Sequence, residues 1–146
     1  MTYTCQCPCG TTRYEIHGEP IVRFYCHCTI CQKQYDAPYV DVTLFKRDAV
    51  ELPEDHGITF AQYKKFAPVD RGKCPSCEKP ILSKMGKGEN AYAFAAVRNY
   101  VNPESLPPAQ LHVFYGTRVA DAEDDLPKYS NGITSRFAFI KYMMGK

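Results

Sequence analysis

The chain has no tryptophan, although 13% of its 146 residues are aromatic, all of them Tyr or Phe. It also has no apolar run of about 18 residues, so nothing in it reads as a membrane-spanning helix. The opening "MTYTCQCPCG" has neither a basic n-region nor an apolar h-region, which argues against a secretory signal. Neither sign of charge dominates. The formal net charge is +2 and the pI about 8.1, below the value of about 9 usual for domains that bind nucleic acid through a basic face. "YKKF" and "DRGK" are small basic patches, and the acidic "DAEDD" works against an anionic partner. No G-x-S-x-G and no P-loop is present, and the glycines of "GKGEN" are too few for a phosphate cradle. The expectation is a cytoplasmic chain with no membrane contact, folded as one domain over residues 1–146.

Cysteine is abundant, with eight residues. In a reducing compartment, dense cysteine reads as metal binding or catalysis rather than disulfides. Cys5, Cys7 and Cys9 lie in "CQCPCG", Cys26, Cys28 and Cys31 in "CHCTIC", and Cys74 and Cys77 in "KCPSCEKP". A C-x-C pair on extended backbone points both thiols to one face. A C-x-x-C pair in a turn converges on one ion, and Pro75 and Ser76 suit a tight knuckle. Cys7, Cys9, Cys74 and Cys77 therefore make a closed tetrahedral zinc site that pins the first strand to a mid-chain loop, and loss of its zinc should unfold much of the protein.

Cys26, Cys28 and Cys31 are left one ligand short. Three protein ligands and an open position are the usual mark of a catalytic zinc. The alternatives are closure by Cys5, which continues the alternation of Cys7 and Cys9, or no metal at all. His27 should face away from its two neighbouring cysteines.

Most segments read as strands: "TTRYEIHG", "IVRFYCHC", "APYVDVTLF", "ITFAQYKKF", "NAYAFAAVRNYV" and "LHVFYGTRV". "LPEDHG", "APVDRG", "GKGEN" and "NPESLPPAQ" read as turns. Helices should be few. "TICQKQY" fits one turn, "DAEDDLPKY" has an acidic start, and "SRFAFIKYMMGK" fits strand or helix. The fold class expected is mostly β and antiparallel.

"CPCGTTRYEI", "YCHCTICQK", "KCPSC" and "LHVFYGTR", in that order, resemble the glutathione-dependent formaldehyde-activating family, which includes the centromere protein V domain. The resemblance covers residues 3 to 118. It implies an antiparallel β-tent with zinc-stapled loops and two zinc ions. One is structural, on Cys7, Cys9, Cys74 and Cys77. The other is near the thiol substrate, on Cys26, Cys28 and Cys31, and is the more labile. It further implies a carbon–sulfur lyase that adds glutathione or a similar small thiol to formaldehyde or another small aldehyde. Three features depart from the pattern: Cys5 is extra, Glu78 stands where the family usually has Gly, and no Trp follows "HVFYGTRV".

A zinc held by three thiolates is matched to a thiol as fourth ligand, since a coordinating thiol is deprotonated by the metal. Lys33, Arg71 and Lys73 are the cations near the motifs and the candidate contacts for the thiol substrate. Tyr35 and Tyr39 could line a cleft, and His112 is the late histidine of the resemblance. His17 and His56 are read as turn residues without a role. Two other functions compete: a zinc-stabilised β module that binds protein or nucleic acid, and a redox or metal sensor that uses Cys5 against the second zinc site.

Overall fold

The structure is a computed structural model that describes residues 1–63 and 68–145. In chain order its strands are β1 (Thr2–Gln6), β2 (Arg13–His17), β3 (Val22–Cys26), β4 (Val40–Lys46), β5 (Val50–Glu51), β6 (Thr59–Gln62), β7 (Val69–Lys73), β8 (Pro80–Met85), β9 (Tyr92–Ala96) and β10 (Leu111–Val113). The α-helices are α1 (Thr29–Tyr35) and α2 (Gly132–Met144). Strands β1, β2 and β5 form a small antiparallel sheet. The other seven form a large one in the order β10-β3-β4-β9-β8-β7-β6. The protein is thus mostly β, as expected. All neighbours are antiparallel except β10 and β3, which run parallel.

Alternation along β4 separates two cores. Val40, Val42 and Leu44 face one side of the large sheet, with Phe24, Ala96, Leu111 and Ala138. Phe45 faces the other side, with Tyr3, Tyr14, Ile16 and Ile81, where the small sheet closes over it. Two polar ties close that second core, one between the sheets and one from the segment after β9 to β1. The Tyr14 hydroxyl donates to the Ile81 carbonyl at 2.9 Å. Val101 N–H donates to the Thr4 carbonyl at 2.9 Å. On the same face, buried Thr43 donates to the Ala95 carbonyl and meets the Tyr100 hydroxyl at 2.7 Å.

Several segments differ from the sequence reading. In "APVDRG" Ala67 lies outside the described residues, and Val69 to Gly72 are not a turn: Val69–Lys73 is a strand paired on both sides. Gly72 allows this, because a Cβ there would sit 2.5 Å from the Leu82 carbonyl oxygen and 2.8 Å from the Phe60 ring. "DAEDDLPKY" is not a helix, and its contribution to a sheet is an isolated bridge from Lys128 to His112. His17 ends a strand rather than lying in a turn. "NAYAFAAVRNYV" and "LHVFYGTRV" each contain a strand but turn early into short 3₁₀ segments. In "ITFAQYKKF" the strand is Thr59–Gln62, and Lys64 to Phe66 lie outside the described residues.

The ambiguous C-terminus is helical. Asn131 and Thr134 form a capping box at its start. Ser135, Ala138, Phe139, Tyr142 and Met143 pack toward the large sheet, with the Phe139 ring 4.8 Å from that of Phe24. Ile133, Phe137 and Ile140 point outward. Apolar residues on both faces erase the helical period, which is why the segment also scans as a strand.

Replacing Tyr14 with Phe keeps the ring but leaves the Ile81 carbonyl without its donor. The expected cost is about 1–2 kcal/mol, read as a lower urea midpoint of the metal-replete protein. An unchanged midpoint would mean that this bond does not tie the sheets.

Candidate metal centres and the adjoining cavity

The first sulfur group is built at the tips of two hairpins, one from each sheet. Cys7 and Cys9 lie in the turn between β1 and β2. Cys74 and Cys77 lie in the turn between β7 and β8. The four sulfurs all lie within 4.8 Å of one another. Each knuckle is shaped by a left-handed residue directly after its second cysteine, Gly10 at φ 79° and Glu78 at φ 59°. Glu78 N–H donates to the Cys74 carbonyl at 3.0 Å and closes the turn. Donors converge on the sulfurs: Thr12 N–H on Cys7 at 3.3 Å, the Thr12 hydroxyl on Cys74 at 3.2 Å, and Ser76 N–H on Cys74 at 3.4 Å. Burial raises the Cys74 thiol, but N–H donors from the Cys77 side and the Thr12 hydroxyl outweigh it and bring it down to about 6.

The second group sits where β3 runs into α1. The sulfurs of Cys26, Cys28 and Cys31 also lie within 4.8 Å of one another, and no fourth His, Cys, Asp or Glu joins them among the described residues. Cys28 is the N-cap of α1, and its sulfur accepts from Cys31 N–H at 3.3 Å. Hydrogen bonds from the Cys26 and Cys31 thiols hold Cys28 well below its ordinary range, helped by the Arg71 charge. The cost falls on its partners. The bond to Cys28 and burial raise Cys26. Against a lowering bond from Cys26, the bond to Cys28 and burial push Cys31 up to about 11. Without a cation, then, ionisation is favoured at Cys28 and opposed at Cys26 and Cys31. A divalent ion with a thiolate preference fits this donor set, because it removes the repulsion that keeps the other two protonated.

Arg71 reaches the trio from β7. Its Nη1 lies 3.8 Å from the Cys31 sulfur and donates to Gln34 Oε1 at 2.9 Å. Tyr35 is beside it, under the Arg98 guanidinium, 5.0 Å from the ring centre. Lys33 is exposed on α1, and Lys73 is exposed beside Cys74 at the other sulfur group. Cys5 joins neither group. It is fully buried in the core between the sheets, where burial pushes its thiol up to about 12 against a hydrogen bond with Tyr14.

His27 faces away from its two cysteine neighbours, and its backbone is clamped. Its N–H donates to the Val113 carbonyl, and its own carbonyl accepts from Gln32 Nε2 at 2.7 Å and the Thr117 hydroxyl at 2.8 Å. Its Nε2 lies 2.8 Å from His112 Nδ1, and His112 Nε2 lies 2.8 Å from Asp124 Oδ2. Burial and the neighbouring His112 lower the His27 ring to about 4, so it is neutral at physiological pH. This chain was not legible in the sequence. It depends on the parallel pairing that sets His112 beside Tyr25. The rings line a cavity of about 330 Å³ with Tyr25 and Tyr39 as walls and residues 119–124 as roof. A separate, exposed group of Glu15, His17 and Glu51 lies on the small sheet, with His17 Nε2 2.8 Å from Glu51.

Residues 2–117 match the family described as glutathione-dependent formaldehyde-activating enzyme. The chain belongs to that family. No curated protein matches it. The formaldehyde-activating match includes both sulfur groups and His112, and it stops before the cavity roof and α2. No helix among the described residues is long and apolar enough to cross a membrane.

Left-handed backbone costs a non-glycine residue roughly 1–2 kcal/mol, against about 0.5–1 kcal/mol of extra unfolded-state entropy for glycine. Glu78→Gly should therefore stabilise the protein by about 0.5–1 kcal/mol in urea unfolding. Destabilisation would show that the Glu78 side chain supports the knuckle in some other way.

Proposed function

We propose that this protein adds a small thiol, glutathione or a close relative, to formaldehyde or another small aldehyde. It would act as a zinc-dependent carbon–sulfur lyase working in the bond-forming direction. The observation that carries this reading is the three-sulfur group of Cys26, Cys28 and Cys31, one ligand short and touched by a guanidinium. The family match supports the substrate class. Cys7, Cys9, Cys74 and Cys77 would hold a structural zinc, and Cys26, Cys28 and Cys31 a second, more labile one.

When bound at the second group, zinc supplies an open position at which a thiol loses its proton near neutral pH. The chain's own residues do the rest. Arg71 offsets the negative charge of the sulfur group and leaves it able to take a further anionic sulfur. The clamp on the His27 backbone fixes the spacing of Cys26 and Cys28 before any substrate arrives. In the overall reaction the sulfur lone pair forms the C–S bond. The carbonyl π pair moves to oxygen, and the proton lost by the thiol ends on the new hydroxyl. All eight cysteines are unpaired, which suits a single reduced, cytoplasmic domain.

The test is metal content and thiol response of protein purified under reducing conditions. Two zinc ions per chain are expected. Cys28→Ser should lose one and stay folded, whereas Cys74→Ser should lose the fold. In the cobalt-substituted protein, glutathione should shift the absorption of the wild type and not of Cys28→Ser. A wild-type spectrum indifferent to saturating glutathione would sink the proposal.

A further inference from the structure

Two half-buried arginines of this protein are held alike at one nitrogen and differ at the others. Arg23 donates from Nη1 to the Pro107 carbonyl at 2.9 Å. Its Nε and Nη2 hold the two oxygens of Asp41 at 3.0 and 2.7 Å. Arg71 likewise commits Nη1, which donates to Gln34 Oε1 at 2.9 Å and lies 3.8 Å from the Cys31 sulfur. Its Nε and Nη2, however, have no hydrogen-bond partner among the described residues, and no Asp or Glu there pairs with it. Neither atom is sealed from solvent, since Asn99 Oδ1 is the buried side-chain polar atom without a partner among the described residues. The Nε–Nη2 edge is a planar fork whose spacing matches the two oxygens of a carboxylate. In Arg23 that fork is filled from within the chain. In Arg71 it is open to a ligand, and it stands beside the sulfur group.

Gln34 lies three residues after Cys31 on α1, so the helix that carries a sulfur of the group also carries the residue that aims the guanidinium at it. A second cation adds to the field. Arg98 lies 5.0 Å from the centre of the Tyr35 ring, donates to the Tyr35 carbonyl at 3.2 Å and has no ion-pair partner among the described residues. Asp36, the exposed C-cap of α1, pairs with neither arginine. We propose that the Nε–Nη2 edge of Arg71 takes a carboxylate of the thiol substrate, with Gln34 as the positioning residue that holds the guanidinium in place. Thiols that carry a carboxylate are then preferred over thiols that differ only in having it masked. This rests on the thiol reading above and adds to it the residue pair that selects the substrate.

The experiment is calorimetric titration of the zinc-loaded full chain with glutathione and with glutathione dimethyl ester. The two share thiol and ammonium and differ in the carboxylates. Glutathione should bind at least about tenfold more tightly, the scale of a charge-assisted bidentate contact. Arg71→Gln should bring the two affinities close together. Arg71→Lys keeps the charge and loses the fork, and it should lower the preference severalfold. It carries the test where Arg71→Gln does not retain its second zinc. Gln34→Ala should also lower the preference severalfold, with zinc content unchanged from the wild type. Equal affinity of the wild type for the two thiols would overturn the carboxylate subsite and leave the thiol reading standing. A preference that Arg71→Lys preserves in full would mean attraction by charge alone and overturn docking on the fork. A preference untouched by Gln34→Ala would overturn the positioning role. Binding of neither thiol would remove the thiol reading itself, and the subsite with it.

Discussion

Sulfurs within 4.8 Å of one another cannot all ionise unless a cation lies among them, and seven of the eight cysteines are gathered in two such groups. Much of the architecture follows from where those groups sit. The first joins the tips of two hairpins that belong to different sheets. It thereby closes the open end of the core between them, where Tyr14 and Phe45 are already buried. A domain of this size can build a core without metal. Hairpin tips, however, have little apolar surface to hold them, and a cation neutralising these sulfurs would do there what packing does elsewhere.

The second group depends on the sheet in a different way. Cys26 ends β3 and Cys31 lies in α1, so their approach requires the chain to turn sharply between them. The turn is fixed from outside. Strand β10, thread 119–128 and α2 all come late in the chain, yet β10 supplies the Val113 carbonyl to His27, and Thr117 and Gln32 cap the His27 carbonyl. Arg71 arrives from β7, four strands away from β3 in the same sheet. The group is therefore assembled from distant sequence, although its cysteines are close together in the chain. Cys5 lies in the core on the opposite face of the large sheet from Cys26 and Cys31, which separates it from the chemistry of the trio.

Reading the sequence recovered what short-range periodicity can encode. C-x-C and C-x-x-C spacing located both sulfur groups, because ligand spacing is a local property. Alternation found the strands that have one buried face. It missed Val69–Lys73, where Asp70, Arg71 and Gly72 look like a turn and where close strand approach, not apolar pattern, selects the glycine. It left α2 undecided because Ile133, Phe137 and Ile140 give the helix a second apolar side. The partners of His27 were beyond its reach. Nothing local connects residue 27 with residues 112 and 124, and an acidic run such as "DAEDD" scans as a solvated face whether or not one of its carboxylates is aimed inward.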